Sequence, residues 1–196
     1  PWNPADMGIL WFGVDDAATS CLTPIFCSAQ EVPGCFREDN GSMLEYSPTS
    51  AFWLFNRTTN FAYMRYDMIS ADIRKVTDKW ENDMLRNVQA LNARVGKMSP
   101  EARRSHLTQL SVETAQQLFD RWQRLNNYLL VKYMDGNVKS EHAGVLEYLD
   151  GKGGPAHFVD NGNGKQIPDK IQFPGYNEKW KRAVAADNGE VLKVID

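Results

Sequence analysis

Apolar positions between Ser47 and Gly96 recur in steps of three and four: Ile69, Ile73, Val76, Trp80, Met84, Val88, Leu91 and Val95. That spacing lays one stripe along one face of a helix. No proline interrupts the chain between Pro48 and Pro100. Ser47 can cap a helix whose first residue is Pro48, where a missing N–H costs nothing. Arg94 and Lys97 suit the negative end of the helix dipole, and Gly96 suits a left-handed cap. The pattern predicts a single helix of about fifty residues, roughly 75 Å long if straight. Its first turns, from Ala51 to Tyr66, are apolar nearly all round, which predicts burial on most sides. Further along, Asp72, Arg74, Lys75, Asp78, Lys79, Glu81 and Asp83 take the outer face.

A helix that long needs a partner. Ser99-Pro100-Glu101 starts a second one by the same logic of cap plus proline. Ser111 can interrupt it and cap a further segment. Leu118, Trp122, Leu125 and Leu129 then carry a stripe that ends at Asp135-Gly136. The tight turn from Gly96 to Ser99 predicts an antiparallel helical hairpin.

Ahead of the helices the pattern changes. Gly8 to Val14 reads GILWFGV, a continuous apolar run that fits a strand buried on both faces. Cys21 to Cys27 reads CLTPIFC, a second strand in which Pro24 argues for an edge position or a bulge. The polar turn from Asp15 to Ser20 can join them as a hairpin. Two strands alone do not make a stable sheet, so the pattern expects further strands from elsewhere. Ala29 to Tyr46 reads as loop, with Pro33-Gly34 and Asp39-Asn40-Gly41-Ser42 as breakers.

Beyond the helices the signals weaken. Gly144 to Leu149 reads as a short helical piece, and Gly151 to Gly164 as glycine-rich loop. Ile171 to Phe173 is strand-like, Asn177 to Ala186 is a short amphipathic helix, and Val191 to Ile195 is a candidate last strand. The segments expected are a β-hairpin and loop at 1–46, a helical hairpin region at 47–150, and a glycine-rich loop with an α/β tail at 151–196, together one structural domain. The fold class expected is α+β and mostly helical: a long antiparallel helical hairpin with a small β-hairpin.

Composition narrows the function classes. The net charge of -3 argues against a nucleic-acid partner, which calls for a basic surface. Met7 to Val14 and Ala51 to Phe55 are the longest apolar runs and are far too short to span a membrane. Pro1-Trp2-Asn3-Pro4 has neither a basic region nor an apolar core of a signal peptide, and the reading expects further sequence ahead of Pro1. Three cysteines, Cys21, Cys27 and Cys35, cannot form a closed disulfide framework. They read as reduced and mostly buried thiols, with a Cys27–Cys35 bridge as the alternative in an oxidising compartment.

Little local chemistry stands out. Asp160 to Lys165 lacks the alternating ligands and closing glutamate of a calcium loop and reads as a plain turn. His106, His142 and His157 show no ligand spacing with one another or with the cysteines, so no metal is expected. No glycine-rich phosphate loop is present, and no cofactor is expected. Asp15 and Asp16 can form an acid pair, although a turn at a strand end is the plainer role.

Two blocks carry more information. The first is Gly8-Ile-Leu-Trp11-Phe-Gly13-Val-Asp15-Asp16, continued by Ser20 and Thr23-Pro24-Ile-Phe. The second is Ser47-Pro48-Thr-Ser50-Ala51-Phe52-Trp53-Leu54-Phe55-Asn56. At this spacing they resemble the later part of the dipeptidases of peptidase family C69, and the likeness covers roughly the first hundred residues.

The resemblance implies a fold and a reaction. The fold would be the four-layer αββα sandwich of the N-terminal-nucleophile hydrolases. The nucleophile would be a cysteine exposed as the first residue of the mature enzyme, with its own α-amine as base. Residue 1 here is proline, and Cys21, Cys27 and Cys35 do not match that nucleophile. The resemblance therefore implies a C-terminal portion of a bacterial dipeptidase, periplasmic or cytoplasmic, that meets its dipeptide through an N-terminal domain outside this chain. No catalytic residue is expected within the chain, and Asp15, Asp16 and Ser20 are the candidate substrate-binding residues. The alternative is a non-catalytic helical interaction or oligomerisation module. Either way, uncovered apolar strands would favour a homo-oligomer.

Overall fold

The structure, a computed structural model, describes residues 7–134, 138–142, 145–148, 158–160, 162–164, 166–168 and 178–187. The chain divides into two compact units, Pro1–Leu129 and Leu130–Asp196.

The first unit opens with the expected hairpin. Strand β1 spans Ile9–Phe12 and strand β2 spans Thr23–Phe26. They pair antiparallel with Ile9 opposite Phe26 and Phe12 opposite Thr23. Pro24 sits in β2 opposite Trp11. Its position has a reason in the hydrogen bonds of the outer edge. The Leu22 N–H donates to Glu81 Oε1 at 2.9 Å, and the Phe26 N–H donates to Ser111 Oγ at 3.1 Å. Between them, at the position where alternation turns the next N–H outward, stands a residue without one. Beyond the strand, the Gln30 N–H donates to Thr108 Oγ1 at 3.0 Å. Side chains of two helices thus close the β2 edge that further strands were expected to cover.

The predicted fifty-residue helix is two helices. Helix α1 spans Ala51–Tyr63 and helix α2 spans Tyr66–Val95. At the joint the backbone tightens, with Met64 N bonded to Phe61 O at 3.2 Å and Arg65 N to Ala62 O at 3.0 Å. The break coincides with Tyr63 stacking on Tyr66 at 5.9 Å between ring centroids. The start also differs from expectation. Ser50, not Ser47, is the N-cap, and the Ser47 hydroxyl donates instead to Asn40 Oδ1 at 2.5 Å. Nor is α1 buried all round: Leu54 and Phe55 are buried, whereas Tyr63 and Met64 are exposed.

The stripe of α2 is as the spacing requires. Ile69, Ile73, Trp80, Met84, Leu91 and Val95 are buried, and Val76 and Val88 are half-buried. Gly96 takes no left-handed conformation; a turn from Met98 N to Val95 O at 3.1 Å closes the end instead. Helix α3 spans Pro100–Tyr133 without a break at Ser111. Ser111 stays helical because its hydroxyl donates back to Leu107 O at 2.9 Å. Ser99 caps the helix, accepting the Ala102 N–H at 3.3 Å. The pairing of α2 with α3 is antiparallel. Near the turn, Leu91, Val95 and Leu107 share a core with Met7 and Phe26. Further along, the Arg121 guanidinium lies over the Trp80 ring at 5.3 Å. Trp122 stacks on Phe55 of α1 at 4.3 Å, and Leu118, Leu125 and Leu129 of the same stripe are buried.

The second unit corrects two expectations. Strand β3, Lys139–His142, pairs antiparallel with β4, Val145–Tyr148, where a helical piece was expected. The run Val-Leu-Glu-Tyr is short and β-prone, and a partner strand decides it. Strands β5, Phe158–Asp160, and β6, Gln166–Pro168, pair antiparallel inside and after the expected loop. The Asp160 carboxylate accepts the N–H groups of Gly162 and Gly164 at 2.7 and 3.3 Å, a turn built around an aspartate. Helix α4 spans Glu178–Ala186. The strand-like runs at 171–173 and 191–195, and Asp135-Gly136, lie outside the described residues. The class seen is α+β and mostly helical, with small antiparallel sheets.

Candidate functional site

The turn between β1 and β2 is held by one face of α1. Asn56, Thr59, Asn60 and Tyr63 follow one another at helical spacing, so their side chains share a face. Asn56 Nδ2 donates to Asp15 Oδ1 at 2.9 Å. The Thr59 hydroxyl is 2.7 Å from the Thr19 hydroxyl, and both residues are buried. The Tyr63 hydroxyl donates to Asp16 Oδ2. Asn60 Nδ2 donates back to Asn56 Oδ1 at 3.2 Å and steadies the amide that holds Asp15.

The turn is also closed from within. Asp16 Oδ1 accepts the Ala18 N–H at 2.7 Å, and Asp16 O accepts the Thr19 N–H at 3.1 Å. The Ser20 hydroxyl donates to Val14 O at 2.6 Å. Asp15 has φ of 68°, a left-handed conformation that aspartate tolerates better than most residues. Gly13 is a matter of space. A Cβ there would lie 3.1 Å from Cys21 O and 3.2 Å from Ser20 Oγ.

Between this turn and α2 lies a cleft of about 400 Å³. Asp15, Ser20 and Cys21 line one side, and Arg74, Thr77, Asp78 and Glu81 line the other. The structure thus brings two of the three candidate residues, Asp15 and Ser20, to one cavity. Asp16 is not part of the lining, because its carboxylate is taken by Tyr63 and the Ala18 N–H. Those two bonds hold the Asp16 carboxyl below its ordinary range, Tyr63 contributing most, and the same contact raises the Tyr63 phenol. Arg74, Asp78 and Glu81 read in sequence as solvated outer-face charges. The polar stripe Asn56, Thr59, Asn60 and Tyr63, set within a helix whose first turns are apolar, was the available signal for this site.

All three thiols are free, with no Cys27–Cys35 bridge. Cys21 and Cys35 are buried and Cys27 is exposed, in line with the expectation of reduced, mostly buried thiols. Burial, with the nearby Glu81 charge, pushes the Cys21 thiol up to about 12. Burial pushes Cys35 up to about 11. Neither thiol ionises near neutral pH, so neither is an activated nucleophile. Among the described residues no group of three or more histidine, cysteine or carboxylate side chains could hold a metal ion. Among them also, no helix is long and apolar enough to cross a membrane.

Residues 2–79 match the model of peptidase family C69. That span contains β1, the turn, β2, α1 and the first half of α2, and with them the cleft lining as far as Asp78. Residues 2–79 are thus similar to a segment of the C69 peptidases, and that segment holds the turn, most of the cleft lining and the α1 polar face. No curated protein and no solved structure matches the chain.

Proposed function

We propose that the chain is the C-terminal portion of a cysteine-type dipeptidase whose nucleophile lies outside residues 1–196. The observation that carries the reading is the C69 match, which falls on the stretch that builds the cleft. Two further observations support it. The Cys21 and Cys35 thiols are buried and resist ionisation, so neither is placed to make the attack. The outer edge of β1 is open: the N–H groups of Ile9 and Trp11 have no partner among the described residues. An open edge beside a closed one is what a hairpin needs to extend a larger sheet, as in an αββα sandwich. In this reading the segment 1–46 supplies strands and helices α1, α2 and α3 the cover, and the parent enzyme is bacterial.

The test compares residues 1–196 with the longer protein encoded by its gene, on a panel of dipeptides. The longer protein is expected to hydrolyse them and to lose that activity when its leading cysteine becomes alanine. The chain alone is expected to show no turnover. Turnover by the chain alone that vanishes in the Cys21→Ala, Cys27→Ala, Cys35→Ala triple variant would overturn the reading.

One observation favours the alternative, a non-catalytic interaction module. The turn 41–46 is held by an amide-to-carbonyl bond from Ser42 to Glu45 at 2.9 Å and by Trp53 Nε1 donating to Glu45 O at 3.0 Å. It presents Met43 and Leu44 at 75% and 100% exposure. An ordered turn with apolar tips suits contact with another chain. Sedimentation at micromolar concentration checks it: a Leu44→Ser variant should dissociate any homo-oligomer, and a monomer in both forms removes this reading.

A further inference from the structure

Helix α1 buries one face, made of Ala51, Leu54, Phe55, Thr58 and Ala62. The opposite face of such a helix is ordinarily polar. Here Trp53, Arg57 and Met64 follow one another along it at helical spacing. Trp53 is half-buried, Arg57 is exposed and Met64 is 69% exposed. The Arg57 guanidinium has no partner among the described residues. The turn 41–46 lies against the first turn of this face. The Trp53 indole N–H donates to Glu45 O at 3.0 Å, and the Tyr46 and Trp53 rings meet edge to face at 5.7 Å. Two amide-to-carbonyl bonds between Ser42 and Glu45, at 2.9 and 3.2 Å, close the turn. Its tip therefore presents Met43, Leu44 and Glu45 in a fixed and exposed arrangement. The Glu45 carboxylate also has no partner among the described residues.

The tip and the helix face complement each other. One carries two apolar side chains and a carboxylate, and the other an indole, a thioether and a guanidinium. They stand side by side on one surface, tied together through Trp53. A surface that holds both halves of a contact matches itself across a two-fold axis, where residue i meets j and j meets i. We propose that this surface is the interface of a homodimer. The Met43–Leu44 tip of one copy lies on the α1 face of the other, and Glu45 of each copy pairs with Arg57 of the other. Charge selects this occupant. A purely apolar partner would cover Glu45 and Arg57 and leave both unpaired, at a cost in desolvation. A segment of one charge would satisfy one of the two and repel the other. A second copy satisfies both, and an Arg–carboxylate pair is the kind that fixes register through two parallel hydrogen bonds. The proposal deepens the interaction-module reading of the turn 41–46 and rests on it.

The test is sedimentation of the full chain across micromolar concentrations, with a charge swap at the two ionic positions. Both positions are exposed, and far-UV circular dichroism checks that each variant keeps its helices. The parent chain should dimerise, and the dimer should weaken as salt is raised. Arg57→Glu and Glu45→Arg each set like charges against each other across the interface. Each should raise the dimer Kd about tenfold or more. The variant carrying both changes restores opposite charges and should return the Kd to within about threefold of the parent, because the two sites are coupled. Met64→Ser should weaken the dimer with no change in its salt dependence. Lys79→Glu, on the outer face of α2, should leave the Kd alone. A double variant no tighter than the single ones, or single variants that dimerise like the parent, would overturn this interface and keep self-association. Assembly beyond a dimer would overturn the two-fold closure. A parent chain that stays monomeric throughout removes the self-association reading and this interface with it.

Discussion

The two strands of the β1–β2 hairpin are paired to each other and treated in opposite ways on their outer sides. Along β2, Glu81, Ser111 and Thr108 take the N–H groups of Leu22, Phe26 and Gln30, and Pro24 offers none. Phe26 sits 3% exposed in a core with Leu91, Val95 and Leu107. Along β1, Ile9 and Trp11 point their N–H groups at no described partner, and Leu10 is 54% exposed. The difference teaches how a two-stranded sheet is made to persist: helix side chains replace the missing strand on one edge, and the other edge is left able to pair.

The largest expected effect tests the closed side. Leu107→Ala removes a fully buried side chain beneath Phe26 and should cost about 2–5 kcal/mol in a denaturant melt. Trp122→Ala, which also removes the stack on Phe55, should cost about 3–5 kcal/mol. Leu10→Ala on the open side, and Lys79→Ala on the outer face of α2, should stay within about 0.5 kcal/mol. Similar costs for Leu107 and Leu10 would mean that β1 is as covered as β2.

The next effect is smaller and tests the side-chain closure itself. Ser111→Ala leaves the buried Phe26 N–H without an acceptor and should cost about 1–3 kcal/mol. Thr108→Ala, whose partner N–H on Gln30 is exposed, should cost less. Hydrogen exchange sharpens the contrast without mutation. The Phe26 amide should exchange far more slowly than those of Ile9 and Trp11. Comparable protection at Ile9 would show that the β1 edge already has a partner, as a homo-oligomer would provide.

These contrasts mark how far the sequence could be read. The hairpin was legible because two apolar runs flank a polar turn, and the α2 stripe because eight apolar positions keep helical spacing over seven turns or so. The closure of the β2 edge was not legible. Ser111 and Thr108 are ordinary helix residues until their distant partners are known, and Ser111 even read as a cap. The break between α1 and α2 was hidden because no Gly or Pro marks Met64 and Arg65. At the site, Asp15 and Ser20 stood out through their motif, but so did Asp16, which turned out to anchor the turn. Arg74 and Asp78 could not be told from Lys75 and Asp72 by spacing, since both pairs look like solvated helix charges. The structure separates the two sets: Asp72 is buried and paired with Lys75, whereas Arg74 and Asp78 are exposed and line the cleft beside the turn.

The smallest expected effect concerns that turn, which joins the open strand to the closed one. Asp16 has its carboxyl held below the ordinary range, first by the Tyr63 hydroxyl and then by the Ala18 N–H. A group depressed in the folded state contributes stability that is present above its unfolded pKa and lost as pH falls through the folded one. The contribution of Asp16 should therefore be complete at neutral pH and disappear on acidification below the usual carboxylate range. Tyr63→Phe removes the larger cause, so the Asp16 carboxyl should titrate at higher pH, as carbon-detected NMR can follow. The variant should also lose part of the acid dependence of stability while its neutral-pH stability changes little, because both groups are exposed and water screens the contact. Both strands should keep their register, since Thr19 and Thr59 still tie the turn to α1 from the buried side. An Asp16 titration that Tyr63→Phe does not move would show that the turn is held by its own backbone and by Thr19 alone.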